Sequence, residues 1–169
     1  MPATFDYIAK ASPSGVAAFS FTNIPQTYTD LVLLISARVT SAYDITAMQA
    51  NDNSSNYSAV YYEGSGNTVG TGTAEISFRM GYINGTNHPN MWNADIVHIF
   101  NYANANVYKT VISENRYPAV KGSIQAFQTQ FKAGLWKNTA AITSLTIGTA
   151  NGGSYASGSV YTLYGIRKA

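Results

Sequence analysis

The 169-residue chain contains no cysteine, so a disulfide framework, a thiolate metal site and a cysteine nucleophile are all ruled out. Charge is nearly as scarce. Asp, Glu, Lys and Arg make up 11% of the residues, against roughly 25% in ordinary soluble domains. The formal net charge is +2, and the Lys and Arg are scattered, so no basic stripe is present to follow a nucleic-acid backbone. The longest aliphatic run, Leu31-Val32-Leu33-Leu34-Ile35, is far too short to cross a bilayer. No stretch carries a helical hydrophobic period of useful length, and there is neither a heptad nor an internal repeat. The opening residues MPATFDYIAK have no basic segment followed by an apolar one, so no secretory signal is expected.

Asn, Ser, Thr, Gly and Tyr are abundant instead. They predict a polar but largely uncharged surface, suited to protein or sugar contacts and equally to an ordinary neutral β-protein. The length fits one domain, residues 1–169, burying roughly 70% of the surface its unfolded chain exposes.

Residues 22–39, TNIPQTYTDLVLLISARV, organise the rest. A continuous apolar run bounded by turn signals predicts a strand covered on both faces, with other strands beside it and over it. Pro25 cannot donate to a ladder and belongs outside the strand, with Asp30 at the strand mouth. Before it, residues 4–9 read as a strand near an edge, and residues 16–21 as a second with Phe19 and Phe21 on one face. After it come strands at 45–50 and 57–63, separated by the polar loop NDNSSN.

The stretch 64–72, GSGNTVGTG, lacks dinucleotide-binding spacing and any helix behind it, and reads as a hairpin loop. Residues 74–82 alternate Ile76, Phe78, Met80 and Tyr82 against Glu75, Ser77, Arg79 and Gly81. Asn84-Gly85 is a hairpin signal. In residues 92–102, Trp92, Ala94, Ile96, His98, Phe100 and Tyr102 share one side, with Asn93, Asp95, Val97, Ile99 and Asn101 on the other. A strand at 108–117 is expected to stop at Pro118. Residues 123–133 follow with an apolar side of Phe127 and Phe131, then a corner at Gly134-Leu135-Trp136 and a strand at 141–147. Residues 159–168 are apolar on both faces, which places them in a sheet interior or at a subunit contact. Ten or so such strands predict an all-β fold: an antiparallel two-sheet sandwich, jelly-roll-like.

Reactive chemistry finds little support. His98 reads as a packed, hydrogen-bonded histidine, since no serine elbow accompanies it, and His88 as a solvated loop residue. Asp6, Asp30, Asp44, Asp52, Glu63, Glu75, Asp95 and Glu114 are scattered. They form no acid/base pair and are expected to face water. Asp52 alone among the residues of its loop is charged, too little for a calcium loop. No catalytic residue, cofactor or metal ligand is therefore assigned. The aromatics Tyr61, Tyr62, Trp92 and Trp136 are the candidates for protein contact or for stacking on sugar rings, although large aromatics also dominate cores and interfaces.

Three segments resemble one family. They are Ile24-Pro25 with Tyr28, Asp30, Leu31 and Arg38; Trp136 with AAITSLTI at 140–147; and the terminal Leu163-Tyr164-Gly165-Ile166. With the polar loop at 51–58, their order resembles small β-sandwich virion proteins of tailed bacteriophages, found as capsid decoration (cement) proteins or in tails and fibres. The resemblance implies a non-enzymatic structural protein located in the virion, on the capsid surface or tail. Its expected partners are the major capsid protein or other virion proteins, in a homotrimer. A fibre would need a shaft, and no coiled coil or repeat is present. Decoration of the head is thus the leading expectation. The alternative is a tail-fibre or receptor-binding module that recognises host-surface glycan.

Overall fold

A computed structural model of the chain describes residues 4–63, 68–75, 77–88, 90–121 and 124–167. Among them there is no helix. The twelve strands begin with β1 (Phe5–Ala11), β2 (Ala18–Phe21), β3 (Asp30–Ala37) and β4 (Tyr43–Ala50). Two hairpin strands, β5 (Tyr57–Glu63) and β6 (Thr68–Glu75), precede β7 (Phe78–Asn84) and β8 (Asn93–Phe100). A long pair, β9 (Lys109–Lys121) and β10 (Ile124–Trp136), leads to β11 (Leu145–Thr149) and β12 (Val160–Ile166).

All pairs are antiparallel and fall into two sheets, one of eight strands in the order β1-β12-β3-β8-β9-β10-β5-β6 and one of four in the order β2-β11-β4-β7. The first four strands of the large sheet, set against the small sheet, have the strand order of a jelly roll. The hairpins β5-β6 and β9-β10 pair with one another and extend one sheet into a wing.

The aliphatic run forms β3, between β12 and β8. Its inward residues Leu31, Leu33, Ile35 and Ala37 enter the core; each large aliphatic buried in this way contributes about 2 kcal/mol. Phe19 and Phe21 share the inner side of β2, edge to face at 5.6 Å. Residues that carry the virion-protein resemblance have packing roles. Gly165 lies so close to the Tyr28 ring that a Cβ there would stand 2.3 Å from it, Tyr102 donates its hydroxyl to the carbonyl of Pro25, and Ile24 is buried.

Several expectations fail, each for a local reason. Residues 68–72 are strand, because pairing to β5 overrides the loop preference of their glycines; residues 64–67 lie outside the described residues. The expected strand at 74–82 is two strands in different sheets, and Ile76 lies outside the described residues. A bulge at Met80, where Thr46 pairs with Gly81 and Ala47 with Arg79, reverses the alternation and turns Tyr82 away from Phe78. Asn84-Gly85 makes no hairpin, since β7 and β8 belong to separate sheets. Gly85 is needed because a Cβ would lie 1.7 Å from the Ser41 carbonyl oxygen. Pro118 sits inside β9, opposite Phe127; the β8 partner has ended at the Ala94↔Arg116 pair, so that edge needs no N–H. Gly134, Leu135 and Trp136 continue β10 and form no corner.

Candidate functional site

The wing places polar side chains toward the core. On β9 and β10, Lys109, Ser113, Asn115, Gln130 and Lys132 are buried, while Phe131 between them is 43% exposed. The expected apolar side of this segment is thus its outer side; the side chain of Phe127 lies outside the described residues. Lys109 is held by three carbonyl oxygens, donating to Asn104 at 2.6 Å, Val107 at 2.7 Å and Thr139 at 3.0 Å. Its charge ties the 101–108 turn to the segment that follows β10.

Asp44 and Asp95 do not face water. Asp44 accepts the backbone N–H of Ile45 at 2.7 Å, Asn151 at 3.0 Å and Gly153 at 2.9 Å, which fixes the loop before β12. Asp95 Oδ1 accepts from Asn115 Nδ2 at 2.7 Å and from the Arg116 N–H at 3.1 Å, while Oδ2 has no partner among the described residues. Burial pushes the Asp95 carboxyl up to about 7, against the lowering effect of these bonds. Nearby Tyr155 and Tyr161 meet edge to face at 5.4 Å, and burial raises both hydroxyls.

A carboxyl tuned to neutral pH is often a catalytic group. Asp95, however, is 3% exposed between the sheets and cannot meet a substrate. Neighbouring Ser113 donates its hydroxyl to the Met80 carbonyl at 2.8 Å and is buried opposite Lys132 in the β9-β10 register. His98 stacks on Phe100 at 6.0 Å and lines an outward hollow, where it has no hydrogen bond among the described residues. His88 is buried rather than solvated, because Asn84 Nδ2 draws in its carbonyl at 2.8 Å.

The four candidate aromatics do not converge. Trp136 is 2% exposed and stacks on Tyr57 at 6.1 Å, so it is a core residue and unable to stack on a sugar. The Tyr57 hydroxyl accepts the Ala50 N–H at 2.8 Å, and burial pushes its pKa up to about 12. Tyr61 is half-buried, with Lys132 Nζ 5.3 Å from its ring centroid. Tyr62, the next residue, is exposed on the opposite face. Trp92 is half-buried, with the Arg38 guanidinium 5.6 Å from it and Gly158 pressed against its ring. It precedes β8, which β9 and β10 separate from β5.

What the strand register does assemble is an apolar outer face on the large sheet. Successive pairings align Tyr7, Tyr164, Val32, His98, Ile112, Ala133 and Val60 across seven strands. The adjacent row runs Lys10, Thr162, Leu34, Ile96, Glu114, Phe131 and Tyr62. The signal for it in the sequence is the apolar character of residues 31–35 and 159–168 on both faces, which no single row of core contacts uses up. No family model, curated protein or solved structure matches the chain.

Proposed function

We propose that the chain is a structural protein of a tailed-bacteriophage virion, a capsid decoration protein that bridges major capsid subunits and works as a homotrimer. The observation that carries this reading is how the side-chain chemistry is spent. Buried charged groups such as Asp44 and Lys109 are bound to the chain's own backbone, whereas Tyr7, Leu34, Tyr62, Tyr108 and Phe131 remain exposed. Such a molecule is built to hold surfaces rather than to transform a substrate. The antiparallel sandwich makes those surfaces rigid, and rigid surfaces lose less freedom on docking.

A protein that binds an assembled lattice but not its dispersed subunits shifts the equilibrium toward the shell, and contact with several subunits at once multiplies the effect. Particles lacking the protein are expected to release DNA at lower temperature than complete ones, with recovery when purified protein is added back. Equal release temperatures, or no rebinding to the head, would overturn the reading. Exposed Tyr62 favours the receptor-binding alternative only weakly, since Tyr61 faces the other way and Trp136 is buried. Binding of the isolated protein to a glycan array would select that alternative.

A further inference from the structure

β3 and β12 are apolar on both faces, and the fold covers one of them. Inward Leu31, Leu33 and Leu163 are fully buried; on the outer side Val32 is buried among its neighbours but Leu34 is 41% exposed. An antiparallel sheet that turns its outer face to water alternates to polar residues there. Here the polar residues are few: no outward position of β3 between Val32 and Ser36, of β8 or of β12 carries Lys, Arg, Asp or Glu, and Ser36, Thr162 and the neighbouring Lys10 of β1 interrupt the apolar surface. The nearest charges on β9, Glu114 and Arg116, pair with each other at 2.7 Å.

The size of the face is also informative. Seven strands span about 29 Å and their paired lengths about 20 Å, or roughly 600 Å² in plan. A standard interface buries about 800 Å² per partner, so the whole face, its few charged positions included, approaches the size of one.

We propose that copies of this chain meet through the outer face of the eight-stranded sheet. The face carries few charges, Lys10 on β1 and the paired Glu114 and Arg116 on β9, so the matching surface is itself mostly apolar, as this face is. The relief points the same way. On the β1-β12-β3-β8 half lies a hollow of about 310 Å³ lined by Phe5, Val32, Leu34, Ile96, His98 and Tyr164. On the β10-β5 half, the exposed side chains of Phe131 and Tyr62 point outward. A neighbour rotated about a symmetry axis can set those rings into the hollow, and such a head-to-tail contact closes into a ring when the rotation allows. The inference gives the homotrimer proposed above its contact surface and rests on that part of the reading alone; the virion role is tested separately by adding the protein back to particles.

Light scattering of the purified full chain tests it. The wild type is expected at a multiple of its 18.2 kDa monomer mass. Leu34→Glu and Phe131→Glu, each at an exposed position, are expected to give folded monomers with an unchanged circular dichroism spectrum. Tyr43→Glu, exposed on the small sheet, is expected to stay assembled. A wild type that is monomeric at every concentration overturns the proposal, including one that binds lipid vesicles or capsids through this face instead. Folded Leu34→Glu and Phe131→Glu chains that both remain assembled overturn it too.

Discussion

The two faces of the large sheet invert the usual arrangement across its wing. Toward the core, β9 and β10 present Lys109, Ser113, Asn115, Gln130 and Lys132 beside Val111 and Trp136; toward the outside, the same strands present Ile112, Phe131, Ala133 and Leu135 beside the Glu114–Arg116 pair. Buried polar groups are tolerated when partners are supplied, and here Lys109 has three carbonyl acceptors and Asn115 bonds Asp95 and the Tyr82 carbonyl. The outer residues receive no such compensation. The inner face is therefore where stability resides, and the outer face is where association resides. Each substitution below either breaks that division or sharpens it.

The largest effect is expected at Trp136, whose ring fills the space between Tyr57 and the core. Trp136→Ala should cost about 4 kcal/mol in denaturant unfolding, the range for deleting a buried aromatic. Next comes Lys109→Met, which keeps the stem but strands three carbonyl oxygens; a loss of about 3 kcal/mol is expected from the charged hydrogen bonds removed.

Asp95→Asn has a pH signature. An unfolded Asp carboxyl titrates near 4, whereas the folded one titrates at about 7. Below about 4 both states hold the proton. Between those values the unfolded chain alone gives it up, so wild-type stability falls as pH rises, and above about 7 the loss is complete. Relative to wild type, the variant should gain about 4 kcal/mol on going from pH 4 to pH 8, its new buried amide shifting both values by the same constant amount. Thermal unfolding at both pH values measures the difference.

The smallest effect is expected on the outer face. Leu34→Ser, assayed in dilute solution where the chain is monomeric, should change unfolding free energy by about 0.5 kcal/mol or less. A loss as large as that at Trp136 would erase the distinction between the faces.

The pattern that was legible in the sequence is strand periodicity. The run 31–35, the turn before it with Pro25, the edge position of the first strand and the pairing of Phe19 with Phe21 all follow from alternation and turn chemistry, and together they indicate an antiparallel sandwich. Alternation does not say which phase faces inward. Phe131 therefore reads as core in the sequence and stands outside in the fold. Burial of Asp44 and Asp95 was likewise hidden, because their partners Gly153 and Asn115 are distant along the chain. The glycines of residues 68–72 suggest a loop, and pairing to β5 overrides that local preference. Trp136 looks like a contact residue by type alone; only its stacking on Tyr57 shows it to be core.

Radical footprinting of side chains in the concentrated chain against the dilute chain tests the division of labour most directly. Phe5, Tyr7 and Phe131 on the outer face should lose reactivity as concentration rises, while Tyr43, similarly exposed but on the small sheet, should keep it. Equal labelling of Phe131 and Tyr43 at all concentrations would contradict the account.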